Sequence, residues 1–266
     1  MRRVLVAVGC VGVLFLAGCG GGGGSAVPPV SSPGSVPSSA PAPATTTATA
    51  AAAAGTTSTA PSATGTVTDQ VGGSAYASSA LTPADLPAGY AMQRVSAEQD
   101  FAGLNSELAQ VTVIPSPKCL TLGPLTADTA KTGLLTVFVN ATTRETIAEF
   151  VAPAGNPSLA AIASDASGCT QYTVADPSKG VHQTGAIQVV PTPVVAAEKT
   201  LGLKTTTVTT TAGGPPVTTV QTDYLAETKG TLVTINTKGG PTGNPIDPTV
   251  VAAAFTKAVT NTNTSH

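Results

Sequence analysis

The sequence predicts an α+β fold: an antiparallel β-sheet with helices packed mainly on one face and a single disulfide. β-Branched segments separated by Gly- and Pro-rich turns occupy residues 186–237, which predicts strands that pair in chain order. Asn156 and Asp247 are each followed by proline and then by apolar residues at helical spacing, which is typical of helix starts. Cys119 and Cys169 are the cysteines that such a domain could pair.

The N-terminus has the pattern of a bacterial lipoprotein leader. Arg2 and Arg3 precede an apolar stretch, residues 4–16, that is too short to span a bilayer. The sequence Leu-Ala-Gly-Cys follows at residues 16–19. We expect the thiol of Cys19 to take a diacylglyceryl group before cleavage makes this residue the new N-terminus. The alternative is an ordinary signal peptide, although no Ala-x-Ala-like site stands near Cys19.

The charge balance limits the partners of the mature chain. Of 12 basic residues, Arg2 and Arg3 lie in the leader, so that 10 remain against 14 acidic residues, a net charge of −4. Nucleic acid is therefore not expected as a partner, because its binding needs a basic surface. Membrane attachment is expected through the acyl chains, such as palmitate, on Cys19, since each buried CH₂ contributes about 0.8 kcal/mol.

A long uncharged tract separates this anchor from the rest of the chain. No charged residue lies between Arg3 and Asp69, and Ser, Thr, Ala, Pro and Gly dominate. Such a tract cannot bury enough apolar surface to fold. We expect a disordered stalk that spans roughly 40–50 Å as a flexible coil, either bare or O-glycosylated at its threonines. The predicted parts are a signal peptide at 1–18, a lipidated stalk at 19–80 and a globular domain at 81–266.

The sequence of the first half of the domain predicts short helices and short strands. In chain order they are a helical turn at Pro83 capped by Thr82, a strand at 90–95, a weak helix at 101–108, strands at 111–114, 133–139 and 144–151, and a helix from Pro157 to Gly168. The segment at 133–139 is almost continuously apolar, as expected for a strand that is covered on both faces or lies at the sheet centre. The segment at 144–151 alternates like a strand, with a helix as the alternative.

The second half predicts an antiparallel meander followed by a helix. The strands are expected at 186–190, 203–211, 217–226 and 231–237, with turn signals between them. The closing helix begins after Asp247 and places six apolar residues on one face: Val250, Val251, Ala254, Phe255, Ala258 and Val259. This stripe predicts that the helix packs on the sheet.

The cysteines predict one disulfide. With one cysteine in the leader and Cys19 lipidated, Cys119 and Cys169 remain as an even pair in an oxidising compartment. Closing a loop over this separation contributes roughly 4 kcal/mol in the chain-entropy description. The alternative, a catalytic thiol, requires a histidine partner, and only His182 and His266 exist.

Motifs for chemistry are absent from the sequence. It contains no Gly-x-Ser-x-Gly elbow and no phosphate-binding glycine loop, and we expect His182 in a loop or at a strand end. Glu145 with Glu149, and Asp223 with Glu227, are the nearest approach to a carboxylate pair of the glycosidase kind. We interpret Glu145 and Glu149 as solvated charges on an exposed face. No catalytic residue, cofactor or metal site is predicted, because the acids are scattered singly.

The combined features resemble mycobacterial-type lipoproteins. The residues that carry the resemblance are the Leu-Ala-Gly-Cys motif, the uncharged stalk, the Leu-Pro-x-Gly-Tyr motif at 86–90, the two domain cysteines and the closing helix. More distantly, the domain is similar to the extracellular sensor domains of mycobacterial receptor Ser/Thr kinases. Those domains pair a sheet with helices around a cleft and carry two disulfides, whereas this chain offers one. The resemblance implies a ligand-sensing or envelope-associated role and brings no catalytic residues.

We therefore expect a non-catalytic binding or sensor module, anchored by lipid on the extracytoplasmic face of the cell membrane. Its ligand-binding residues and oligomeric state are not predicted, and its ligand is expected to be a small apolar molecule or an envelope component. The alternative is a carrier of envelope lipids, with an apolar cavity among small aliphatic side chains and Phe138, Phe150 and Phe255. An envelope hydrolase is the third hypothesis, which the missing motifs disfavour.

Overall fold

The computed structural model describes residues 74–241 and 243–265. The predicted signal peptide, the lipidation site Cys19 and the predicted stalk up to residue 73 lie outside these residues. The helices are α1 (Ala97–Leu108), α2 (Ala127–Thr132), α3 (Leu159–Ser167) and α4 (Pro248–Ser265). The strands are β1 (Tyr90–Val95), β2 (Thr112–Ile114), β3 (Leu134–Asn140), β4 (Thr146–Pro153), β5 (Tyr172–Asp176), β6 (Val181–Val190), β7 (Lys199–Thr211), β8 (Val217–Thr228) and β9 (Thr231–Lys238).

All nine strands join one antiparallel sheet, in the order β1-β3-β4-β9-β8-β7-β6-β5-β2. The strands from β5 to β9 follow one another as a meander, and β9 then pairs with β4. Because alternate residues of a strand point to opposite sides, the cross-strand pairs divide the sheet into two faces. The α+β class and the antiparallel sheet of the prediction are confirmed.

The helices cover both faces unequally. We call the face that contacts α1, α2 and α3 the inner face, and the opposite one the outer face. On the inner face, one core cluster lies between α1, α2, β3 and β4, and a second lies between α3 and strands β5–β9. The outer face packs against α4 in a third cluster. Three of the four helices thus share one face, as predicted, and α4 closes the other.

Helix α4 follows its sequence pattern closely. The Asp247 carboxylate accepts a hydrogen bond from the Thr249 backbone N–H at 2.8 Å, which caps the helix start. Five of the six predicted residues are buried, and Val250 is partly buried against the same cluster. The ring of Phe255 lies 5.4 Å from that of Tyr224 on β8. The apolar spacing of this helix therefore identified its buried face correctly.

Other elements differ from the prediction at their ends. Helix α3 begins at Leu159 rather than Pro157, because the Ser158 hydroxyl caps it by accepting from the Ala161 N–H at 3.2 Å. The segment at 146–153 is a strand, so the helix alternative is wrong. Helix α2 and strand β5 had no predicted counterpart.

The predicted disulfide is present. Cys119 and Cys169 are bonded, with their Cα atoms 5.4 Å apart. The bond joins a 3₁₀ turn at Pro117–Leu120 to the residue that follows the C-cap of α3. Both cysteines are buried in the inner cluster under α3, so the bond fixes that helix over strands β5–β9.

Candidate functional site

A buried patch of polar side chains interrupts the inner face between its two apolar clusters. We call it the polar floor; its members are Gln183, Thr205, Thr207, Gln221, Asp223 and Asn236, each at most 6% exposed. Strand pairing places them side by side: Asp223 lies opposite Asn236, and Gln221 lies opposite Thr205. A buried sheet face is normally apolar, since an unpaired polar group costs free energy in the interior. The polar floor is therefore the clearest candidate for a functional surface.

The carboxylate of Asp223 is the centre of the polar floor. Its Oδ1 accepts a hydrogen bond from Asn236 Nδ2 at 2.6 Å. Gln221 Nε2 lies 3.2 Å from both carboxylate oxygens and donates to them. Burial raises the pKa of Asp223 to about 7, although the bonds from Gln221 and from the Thr237 backbone act in the opposite direction. Asp223 is thus an oriented hydrogen-bonding group whose charge changes near neutral pH.

Two buried hydroxyl groups on the same face have no hydrogen-bond partner in the structure. One belongs to Tyr172 on β5, whose side chain crosses over Gly185 on β6. Gly185 in turn pairs with Thr207, so the phenol hydroxyl lies at the edge of the polar floor. The other belongs to Thr234 on β9, two residues before Asn236 and on the same side of the strand. Buried hydroxyls are usually bonded to protein or water, so both are available to an additional group.

The polar floor approaches the surface at one end. Along β7, Thr205 and Thr207 are buried, and Thr209, on the same face, is half-buried. Along β8, Gln221 is buried and Thr219 is half-buried. The polar side chains therefore continue from the interior towards the β7–β8 hairpin. At the other end, Leu203 and Leu225 belong to the apolar cluster under α3, which closes the patch.

Lys238 lies beside this open end, on the inner face of β9. It is half-buried, and burial lowers its pKa to about 8. The Lys238 ammonium at the rim donates hydrogen bonds, and the Asp223 carboxyl at the centre offers acceptor oxygens. The arrangement is suited to hydrogen-bonding a polar molecule.

The two candidate carboxylate pairs from the sequence do not form paired sites in the structure. Glu149 is fully buried on the outer face, so its interpretation as a solvated charge is wrong. Glu145 is half-buried and accepts from the Tyr90 hydroxyl at 3.0 Å. Asp223 and Glu227 share the inner face of β8, with Leu225 between them. None of these pairs faces across an open cleft in the way that glycosidase carboxylates do.

Glu227 has a structural role at the start of α3. Its carboxylate accepts from Lys199 Nζ at 2.7 Å and from the Leu159 backbone N–H at 3.3 Å. The second bond satisfies one of the unpaired N–H groups at the helix start. His182, in contrast, is exposed near the start of β6 and lies opposite Ala175 and Thr210, away from the polar floor. Its predicted place at a strand end is confirmed.

A concavity lies on the outer side of the sheet, away from the polar floor. It is a depression of about 530 Å³ near the edge strand β2, and no acidic or basic side chain is among its lining residues, which include Tyr172. Its lining mixes aliphatic and hydroxyl side chains, among them Ile114, Pro115, Thr184, Ala186 and Val208. It has no oriented polar group comparable to Asp223.

The described part of the chain has neither a cluster of metal ligands nor a helix suited to span a membrane. Within residues 74–241 and 243–265, no group of three or more His, Cys, Asp or Glu side chains is placed to hold a metal ion. In the same residues, no helix combines the length and the hydropathy needed to cross a membrane.

Sequence reasoning missed the polar floor for an identifiable reason. Strands β7 and β8 carry polar residues on both sides, such as Lys204 and Thr205, or Gln221 and Thr222. Their alternation therefore did not indicate which face was buried. The available signal was the amide of Gln221 and the carboxyl of Asp223 at alternate positions of a threonine-rich strand.

Comparisons with known proteins add little to this description of the site. No protein-family model matches the chain, and no curated protein matches it. An X-ray structure of an uncharacterised protein from Mycobacterium smegmatis, the Rv0999 ortholog, is similar at a TM-score of 0.34 and 16% sequence identity. The match covers 67% of this chain and 91% of that one. At this TM-score, the likeness assigns neither a fold family nor a function to the chain.

Proposed function

We propose that this chain is a lipid-anchored extracytoplasmic protein whose domain binds a small polar ligand on the polar floor without catalysis. The observation that carries the proposal is the buried set of amide, hydroxyl and carboxyl groups around Asp223, together with the unpartnered hydroxyls of Tyr172 and Thr234. Groups of this kind are retained in an interior at a cost in stability. Binding a ligand that completes their hydrogen bonds offsets this cost.

The chemistry of the polar floor favours a neutral, hydroxyl-rich ligand such as a saccharide. The amides of Gln183, Gln221 and Asn236 each carry both donors and acceptors. Asp223 offers acceptor oxygens, and threonine hydroxyls offer either function. Such mixed groups match the hydroxyls of a sugar better than they match a phosphate or an acyl chain. Of the two ligand classes expected from the sequence, this proposal favours an envelope component over a small apolar molecule.

The same residues disfavour catalysis. Asp223 is the sole carboxyl group of the polar floor, and Glu227, further along β8, is committed to Lys199 and to the start of α3. His182 lies on the other side of the sheet. The proposal therefore assigns the polar floor to recognition, with one oriented acid in a hydrogen-bonding role.

The lipid-carrier hypothesis has no specific observation in its favour. In the described residues, most of the buried apolar side chains pack into three clusters, and Phe138, Phe150 and Phe255 each belong to one of them. All three phenylalanines are buried to at least 98%. The depression on the outer side is the alternative place for an apolar molecule.

Thermal unfolding of the full chain in detergent tests the proposal. The probes are the water-soluble oligosaccharides released by mild acid from the envelope of the expression host, and an organic-solvent lipid extract of the same cells. We expect the oligosaccharide fraction to raise the Tm and the lipid extract to leave it unchanged, because a ligand that binds only the folded state stabilises it. The matched variants are Asp223→Asn on the polar floor and His182→Ala on the opposite face.

The response should persist in the His182→Ala protein and be lost in the Asp223→Asn protein. A shift with the lipid extract alone would support the carrier hypothesis and overturn the proposal. An undiminished response of the Asp223→Asn protein to the oligosaccharides would also contradict it.

A further inference from the structure

A single buried acid fastens the N-terminal segment of the domain to the sheet. The backbone N–H of Leu81 donates to Glu149 Oε2 at 2.7 Å, and the Glu149 side chain has no solvent exposure. The other oxygen, Oε1, has no hydrogen-bond partner in the structure. Thr136, which lies directly opposite Glu149 on β3, has a buried hydroxyl that is also without a partner. A carboxyl group in this position is stable mainly when it is neutral.

The charges around Glu149 do not compensate an ionised form. Asp85, in the 3₁₀ turn that follows Leu81, is an acid, and its carboxylate is paired with Lys257 of α4 at 3.6 Å. On the same outer face, Arg94 is exposed on the edge strand β1, and Tyr224 lies on β8. Burial raises the pKa of Glu149 to about 8, and the nearby Asp85 adds to this effect, whereas the Leu81 N–H bond opposes it.

Leu81 stands where the predicted stalk meets the domain. Ser79 and Leu81 are each 1% exposed, and Leu86 is buried in the cluster under α4. Tyr76 packs against the same cluster. The segment 76–86 is therefore held on the outer face by buried side chains and by the bond from Leu81 to Glu149.

We propose that Glu149 is a proton-operated latch, which holds the segment 76–86 on the outer face when its carboxyl is neutral and loosens that segment when the carboxyl is ionised. In the open form, the Glu149 carboxyl is exposed to water and has the acidity of an ordinary glutamic acid side chain. The latch does not depend on the ligand proposed for the polar floor, because Glu149 lies on the opposite face of the sheet.

The direction of the pH effect follows from proton linkage. In the closed form Glu149 holds its proton up to about pH 8, whereas in the open form it releases it near its ordinary value of about 4.5. Between these values only the closed form is protonated, so each unit of rising pH favours opening about tenfold. Below this window and above it, the opening equilibrium no longer depends on this group.

Hydrogen exchange of the full chain in detergent, followed by mass spectrometry on peptides covering 76–90, tests the latch. After correction for intrinsic exchange, the opening constant should rise about tenfold per unit between about pH 5 and pH 8 and then level off. In the Glu149→Gln variant, which keeps the shape but cannot ionise, the constant should not change with pH. Glu145→Gln, one residue before the same strand, is the matched control and should show the same pH slope as the wild type.

A wild-type opening constant that does not change with pH, or a slope that persists in Glu149→Gln, overturns the proposal. If the Glu149→Gln protein does not fold, an infrared titration decides between the outcomes. It is recorded in an Asp223→Asn background, because burial raises the pKa of Asp223 to about 7 and its carboxyl band would overlap that of Glu149. A protonated carboxyl band that persists to about pH 8 supports the latch, and its loss near the ordinary pKa of glutamic acid contradicts it.

Discussion

The side chain of Tyr172 on β5 lies across Gly185, its partner residue on β6. A Cβ atom at position 185 would overlap the phenol atoms Cζ, Cε1 and Oη. Gly185 therefore allows an aromatic side chain to lie along the sheet and carry its hydroxyl towards β7. The burial of this hydroxyl raises the pKa of Tyr172 to about 12. The pair links the apolar cluster under α3 to the polar floor.

Adding one methyl group to Gly185 should therefore destabilise the domain. We expect Gly185→Ala to cost about 1–3 kcal/mol of unfolding free energy, because the phenol ring has to move within a packed interior. Urea unfolding of the full chain measures this change. Gly103→Ala in α1 is the control: nothing lies within 4 Å of the added atom, and alanine there should stabilise the helix by up to about 1 kcal/mol. Equal effects of the two substitutions would contradict the packing of Tyr172.

The protonation of Asp223 should make stability depend on pH. Its pKa rises from 3.8 to about 7 in the folded protein, so the folded state binds the proton more tightly than the unfolded state. The resulting stabilisation is complete below pH 4 and is lost as pH rises to about 7, with a total of about 4 kcal/mol. Chemical unfolding between these values should show the decline, and Asp223→Asn should reduce it.

The control for this pH effect is Asp165→Asn. Asp165 lies on the exposed side of α3 and forms a 3.0 Å ion pair with Lys118, which contributes at most about 1 kcal/mol. This variant should retain the decline with pH. If Asp223→Asn leaves the pH dependence as large as in the wild type, Asp223 is not the group that titrates.

Removing the disulfide should destabilise the domain substantially. The bonded cysteines are 50 residues apart, and closing a loop of that length contributes about 4 kcal/mol. The Cys119→Ser, Cys169→Ser double variant should therefore unfold at a lower urea concentration, by an amount equal to the effect of reducing the wild type. A reductant that does not change the wild-type midpoint would contradict this contribution.

The proposed lipid anchor predicts a specific effect at Cys19. The mature protein should partition into the detergent-rich phase of a cloud-point separation, because two or more acyl chains suffice for stable anchoring. Cys19→Ser should remain uncut and carry no lipid, whereas Cys10→Ser in the leader should behave like the wild type. A Cys19→Ser protein that matures to the same size and partitions in the same way would exclude the lipoprotein assignment.

The elements that the sequence predicted well are those whose buried face is apolar. Helix α4 has its apolar stripe at helical spacing, and the predicted residues are those that pack on β8 and β9. The disulfide followed from the small number of cysteines. Helix α2 was missed because it has only six residues, and its signal was the capping pair Thr126 and Thr129 rather than a periodic pattern.

The polar floor and Glu149 could not be inferred in the same way. Polar residues on strands indicate solvent in most proteins, so the sequence predicts an exposed face for Glu149 and no role for Gln221. Their burial depends on pairing between strands that are distant in sequence: Glu149 lies between Thr136 and Ile235. Such placement is a property of the assembled sheet, and local spacing does not report it.

The most direct test of ligand binding on the polar floor is an NMR titration of the full chain in detergent micelles with the envelope oligosaccharide fraction. We expect the side-chain amide signals of Gln183, Gln221 and Asn236 to shift together as the fraction is added. Signals from the outer depression, such as that of the Ala186 methyl group, should not shift. If the shifts are confined to the outer depression, or if none of the three amides responds, the polar floor is not the binding site.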